Sequence, residues 1–179
     1  MSGKYKGYSF KPFKAPHTRP TTDIAKEAIF NSIVSRYDIE DITVLDLFAG
    51  TGSMSLEFLS RGALKVTSAD YHEKNLKYLL DIKKELSVEN WKVEKSEVLE
   101  FLKYNKESFD LIFADPPYDW NGFHALSKLI PESDTLKEGG CFILEHPKTF
   151  NFTGAHVLMS KQYGISCFTF FAKQGVTEN

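Results

Sequence analysis

The stretch TVLDLFAGTGSMSLEFLSRGA, residues 43–63, changes its period twice. Thr43 to Phe48 is a short apolar run interrupted by one acid, Asp46, and reads as a buried strand. Ala49-Gly50-Thr51-Gly52 is a turn, and Ser53 to Arg61 is a helix closed by Gly62. The glycine pair lets a ligand approach the backbone closely. A dinucleotide fingerprint needs a third glycine at position 55, where this chain has Ser55, and a Walker motif needs a Gly-Lys-Ser/Thr that is absent. A phosphate-cradling loop is therefore disfavoured, and a tight turn without ligand is the plain alternative.

Strands and helices alternate onward from there. Lys65 to Asp70 is predicted as a second strand, 73–86 as a helix, Trp91 to Lys95 as a strand and Val98 to Tyr104 as a helix. Phe109 to Ala114 is the fourth strand, Phe123 to Ile130 a helix and Gly140 to Glu145 the fifth strand. His156 to Ser160 and Ile165 to Ala172 follow, joined around Tyr163-Gly164 with no room for a helical crossover. The expected α/β fold is Rossmann-like: a seven-stranded, mostly parallel sheet, helices on both faces and a C-terminal antiparallel hairpin. Upstream, residues 1–18 read as short strands or an extended arm. Thr21 or Thr22 is a candidate N-cap, for a helix carrying Ile24, Ala28, Ile29, Ile33 and Val34 on one stripe and ending near Arg36.

The 179 residues suit one domain, with 1–36 as a basic arm and helix and 37–179 as the ligand-binding core. Net charge is −2 overall, but residues 1–36 carry seven bases and two acids, leaving the remainder acidic. A basic extension on an acidic body suits a polyanion; a solvated lysine-rich terminus is the bland alternative. No run is long enough to span a membrane, no apolar leader is visible, and a cytoplasmic protein is expected. Cys141 and Cys167 read as free buried thiols, and the scattered histidines predict no structural metal.

Ligands of doubly wound folds bind beyond the carboxyl ends of the strands. Asp46, Phe48, Ala49, Gly50, Thr51 and Gly52 line one such end. Asp70 ends the second strand, 20 residues past Gly50, where a carboxylate can accept both hydroxyls of a ribose. NAD and S-adenosylmethionine (SAM) both present that ribose, and without the third glycine SAM is the better candidate. Tyr71 is placed to pack on an adenine or to cover the sheet edge. Glu97 is placed to accept from the adenine amino group, with the Val98 amide serving a ring nitrogen; Glu97 could equally cap the next helix.

The fourth strand ends in FADPPYDW, residues 113–120. Two consecutive prolines remove donors and fix φ directly after a buried strand. Asp115-Pro116-Pro117-Tyr118 resembles the [D/N]-P-P-[Y/F] motif of SAM-dependent methyltransferases that modify exocyclic amino nitrogens. The chemistry accounts for the composition. A base amino group is a poor nucleophile because its lone pair is delocalised into the ring. Asp115 and a carbonyl of the Pro-Pro segment can accept its two N–H bonds and aim the lone pair at the methyl group. Tyr118 offers a face on which a flipped-out base can stack.

The resemblance extends along the chain. GKYKG (3–7), TRPTTD (18–23), KEAIFN (26–31), DLFAGTGSMSLEFLSRGA (46–63) and FADPPY (113–118) together resemble the RsmD family. The resemblance implies a SAM-dependent 16S rRNA (guanine-N2)-methyltransferase that releases S-adenosylhomocysteine and works on the 30S subunit or its precursor; no long exposed apolar helix suggests an obligate partner, so a monomer is the default. It also implies that Lys4, Lys6, Arg19 and Thr21 contact RNA. Tyr8 stands where the family commonly has a basic residue, Lys26 where it has arginine and Glu97 where it has aspartate. The rivals are a DNA amino-methyltransferase, a protein-glutamine methyltransferase (typically Asn-Pro-Pro-Tyr), a non-catalytic RNA-binding protein on the same fold, and an NAD dehydrogenase.

Overall fold

A computed structural model describes residues 3–10 and 23–173. Gly3–Tyr5 is a 3-10 turn, and α1 spans Asp23–Val34. β1 (Thr43–Leu47), α2 (Ser53–Ser60), β2 (Lys65–Asp70), α3 (Glu73–Glu85), β3 (Trp91–Lys95), α4 (Val98–Tyr104), β4 (Phe109–Ala114) and α5 (Phe123–Glu132) alternate as expected. β5 (Leu136–Pro147), β6 (Val157–Tyr163) and β7 (Ser166–Ala172) complete a seven-stranded sheet of order β3-β2-β1-β4-β5-β7-β6. β1 to β5 pair in parallel, and β7 runs antiparallel to both β5 and β6. The strand order reverses between β1 and β4, which makes the carboxyl ends of those two strands the switch point.

Alternate residues of the strands feed opposite faces. Val44, Leu111 and Phe113 join Ile29, Phe30, Ile33 and Phe58 on the face covered by α1, α2 and α3. Leu45, Leu47 and Ile112 join Phe101, Phe123 and Leu126 on the face covered by α4 and α5. Trp91 and Phe30 are fully buried in the first of these layers. Each such side chain contributes about 1.5–3 kcal/mol relative to exposure.

β5 and β6 run in the same direction, so residues 148–156 must cross from one edge of the sheet to the other. They do so without a helix. Phe150 packs against Phe123 in a tilted pair at 4.6 Å, and Phe152 meets Phe171 edge-on at 5.7 Å, so aromatic contacts cover what a helix would otherwise cover.

Several boundaries differ from the sequence reading. Gly3–Tyr5 is a 3-10 turn where strand or extended chain is expected. It docks on the end of α2, where the Tyr5 amide donates to Ser60 Oγ at 2.8 Å. β5 starts at Leu136, four residues before the expected Gly140, because the strand passes through a bulge: its register on β4 shifts between Phe109 and Leu111. Gly139 takes φ 72 there. The hairpin strand β6 runs on to Tyr163. α5 continues through Pro131, a residue that reads as a stop but is buried against the body of the protein. No helix of the described residues is long and apolar enough to cross a membrane.

Candidate active site

Four loops meet at the carboxyl edge of β1 to β4: Phe48–Gly52, Tyr71–His72, Ser96–Glu97 and Asp115–Trp120. Register links the first and last directly, since Leu47 pairs with Ala114. The Asp115 amide points at the Leu47 carbonyl at 3.5 Å.

The first loop is a preorganised turn. Phe48, Gly50 and Gly52 all take positive φ, at 63, 53 and 72. For Phe48 that conformation is strained, the kind of feature that clusters at functional sites. The amides of Ala49, Gly50 and Gly52 are bonded inside the protein: to the Ala69 carbonyl, the Asp70 carboxylate and the Ala49 carbonyl. Gly52 is demanded by packing as well as by φ. A Cβ there would lie 2.3 Å from Leu79 Cδ2 and 3.1 Å from Trp91 Cζ2.

Asp70 is buried, with Oδ2 accepting from the Gly50 amide at 2.8 Å and from Asn75 Nδ2 at 2.9 Å. Its Oδ1 accepts from the His72 amide at 2.8 Å. A carboxylate offers about four acceptor sites. Three are taken, and the remaining one is on Oδ1, so this oxygen is the one able to receive a ribose hydroxyl. That capacity, beside a strained glycine turn, fits the ribose end of SAM.

Asp46 lies on the α2 face of β1 and is buried. Ser55 donates to its Oδ2 from both the amide, at 3.1 Å, and the hydroxyl. Ser55 Oγ meets Ser68 Oγ at 2.5 Å, and Trp91 Nε1 donates to Ser68 at 2.7 Å. Burial pushes the Asp46 carboxyl up to about 7, against the lowering effect of the Ser55 bonds and helped slightly by the charge of Asp70. The residue that breaks the dinucleotide fingerprint, Ser55, is thus the link between an acid and a buried indole. Asp46 is thus buried beneath the loop and engaged by Ser55.

Glu97 is the N-cap of α4. Its Oε2 accepts from the Leu99 and Glu100 amides at 2.9 and 3.3 Å, which leaves Oε1 for another donor. Val98 is buried. Tyr71 is exposed and lies against His72 with ring centroids 4.2 Å apart.

In the last loop Pro116 is buried, while Asp115, Pro117 and Tyr118 are half-buried. The Pro117 carbonyl accepts from the Trp120 amide at 2.9 Å, so the Pro116 carbonyl is the better acceptor for a substrate amine. Tyr118 OH is tied to Ser166 Oγ at 2.7 Å. Trp120 packs edge-on against Phe48 at 5.0 Å and bridges the two loops. It also crowds Gly122, where a Cβ would fall 2.2 Å from the indole.

The expected RNA contacts lie elsewhere. Lys4 and Lys6 are exposed beside the Gly3–Tyr5 turn, at the end of α2 remote from Ser53. The length of that helix puts them about 10 Å from the site edge. Arg19 and Thr21, like the candidate cap Thr22, lie outside the described residues. Asn75, Ser68, Trp91, Trp120 and Ser166 were not legible as site residues. Trp120 alone carried a signal, as an aromatic two positions after Tyr118.

The family described as conserved hypothetical protein 95 matches residues 1–172. Ribosomal RNA small subunit methyltransferase D of Buchnera aphidicola is 32% identical over 151 residues, covering 84% of this chain and 76% of that protein. YlbH of Bacillus subtilis is 34% identical over 186 positions, covering 98% of each. Among solved structures, a hypothetical protein of Thermus thermophilus superposes with a TM-score of 0.81 at 26% identity, covering 96% of both chains.

Proposed function

The chain belongs to the RsmD family of SAM-dependent rRNA methyltransferases, and from that membership we propose that it methylates the exocyclic N2 of a guanine in small-subunit 16S rRNA. The observation that carries the reading is the junction of two loops. Asp115 to Tyr118 meets Phe48 to Gly52 at the switch point of the sheet, with Trp120 packed on Phe48. An amine acceptor beside a glycine turn is what transfer to a base nitrogen needs.

Bound SAM supplies an electrophilic methyl group on a sulfonium. The protein supplies position. Asp70 Oδ1 would hold the ribose, Glu97 Oε1 and the Val98 amide would meet the adenine, and Tyr71 would cover it. The guanine leaves its stack and rests on Tyr118. Asp115 and the Pro116 carbonyl accept the two N2 hydrogens, which turns the nitrogen lone pair out of the ring system and along the line of transfer. On accepting the methyl group the amine would give up one proton, which Asp115 would receive and pass to solvent, and the donor would leave as its neutral thioether. Positioning of this kind contributes roughly 7–11 kcal/mol in favourable systems. No covalent enzyme intermediate is required.

Lys4 and Lys6, about one helix length from the edge, would meet phosphates of a folded RNA well away from the target base. The family membership favours the 30S particle or its precursor as the substrate, because phosphate contacts fix register without reading sequence. The protein is taken to act as a monomer in the cytoplasm.

The test is transfer of labelled methyl from SAM to unmodified 30S particles, free 16S rRNA and duplex DNA, with the modified nucleoside identified. N2-methylguanosine in rRNA is the expected product. N6-methyladenine or N4-methylcytosine in DNA would keep the Asp115 chemistry and overturn the RNA substrate. Absence of both transfer and SAM binding would revive a non-catalytic RNA-binding role.

A further inference from the structure

We propose that Ser166, at the tip of the β6–β7 hairpin, is a positioning residue that sets the plane of the Tyr118 ring. The inference rests on the reading of Tyr118 as the stacking surface and names what holds that surface still.

Tyr118 extends from the loop after β4, and Ser166 opens β7. Two strand spacings, about 10 Å, separate those strands. The register Pro147↔Ser166 puts Ser166 at the carboxyl edge, level with the end of β5. The Tyr118 side chain therefore reaches over β5 to be bonded, OH to Oγ at 2.7 Å. A tyrosine left to itself keeps two rotatable bonds. Tied at both ends, it presents one face.

The anchor is itself rigid. Tyr163 pairs with Ser166, leaving only Gly164 and Ile165 in the turn. Gly164 has φ 62, and Ile165 is not among the residues of positive φ, the pattern of a type II′ hairpin. From the other side the hairpin is bolted to α1. Lys161 Nζ donates to Ser32 Oγ at 2.8 Å, and Tyr163 OH lies 3.3 Å from the same hydroxyl. Ile165, at the tip and next to Ser166 in the chain, is 58% exposed. The tip is thus fixed to the body, linked to the base-stacking tyrosine and open to a macromolecular substrate.

The experiment compares Ser166→Ala, Ser166→Thr, Tyr118→Phe and the double variant Tyr118→Phe with Ser166→Ala. Single-turnover methyl transfer to 30S particles, SAM binding and RNA binding are measured for each. Ser166→Ala and Tyr118→Phe should each slow transfer about three- to tenfold, the span a neutral hydrogen bond commands. The double variant should be no slower than either single one, as two ends of one bond require. Ser166→Thr, which keeps the hydroxyl, should restore the rate, and SAM affinity should stay within about twofold throughout. A Ser166→Ala rate equal to that of the unaltered protein, or additive losses in the double variant, would overturn the positioning role alone. Failure of the unaltered protein to methylate any RNA would overturn the proposed function and this role with it.

Discussion

The Gly50 amide donates to Oδ2 of Asp70 at 2.8 Å, tying the turn after β1 to the end of β2 across 20 residues of chain. A residue read as a ligand contact is therefore also the clasp that shapes the cofactor turn. Asp70→Asn should raise the dissociation constant for SAM at least tenfold, since hydrogen bonds to a charged group are worth about 1.5–3 kcal/mol. It should also lower the melting temperature, because the Gly50 and His72 amides lose a charged acceptor. Calorimetric titration and a thermal melt read the two effects separately. An unchanged SAM affinity would remove Asp70 from the cofactor site.

Asp115→Ala should lower the rate of methyl transfer by about 10²–10³-fold, the usual loss when a group aimed at the reacting atoms is deleted. SAM affinity should be preserved. Retention of full activity would eliminate Asp115 as the amine acceptor.

Gly52→Ala should destabilise the protein by about 1–3 kcal/mol from overpacking alone. The reasons are the 2.3 Å approach to Leu79 Cδ2 and a φ of 72. Denaturant unfolding measures it, and Leu79→Ala in the same chain should recover part of the loss, because the two sites share a contact.

Asp46 predicts a pH dependence. Its carboxyl titrates near 7 in the folded state, raised by burial above its ordinary value. The folded protein then holds a proton that the unfolded chain releases, so stability from this group is full below about pH 4 and is lost as pH rises through about 7. Asp46→Asn removes the titration. Relative to the unaltered protein, the variant should gain stability between pH 5 and pH 8. Urea midpoints across that range test the sign, and parallel curves would refute the buried neutral acid.

The strands β1 to β4 and helices α2 to α4 stand where their periods indicate, because alternation and helical spacing are local properties of Thr43 to Ala114. The exceptions have tertiary causes. The fifth strand is expected from Gly140, yet β5 starts at Leu136 and carries Lys137-Glu138-Gly139 in a bulge, because β4 offers a pairing edge on both sides of the irregularity. Pro131 reads as a stop, yet burial of α5 carries the helix past it. The link from β5 to β6 is made by residues 148–156 without a helix and packs through Phe150 and Phe152, which no helical period could announce.

The site divides in the same way. The order of Gly50, Asp70, Glu97 and Asp115 along alternating strands and helices determines that they reach one edge of a parallel sheet, since every βα unit ends its strand there, while Asp46 lies one residue inside β1. The tertiary structure alone decided which oxygen of each acid is already engaged, that Ser55 joins Asp46 to Trp91 through Ser68, that Tyr118 is held by Ser166 and that Lys4 and Lys6 dock at the far end of α2. A strand reports its own period, whereas a hydrogen-bond partner 48 residues away, as Ser166 is from Tyr118, exists only once the sheet has brought the two together.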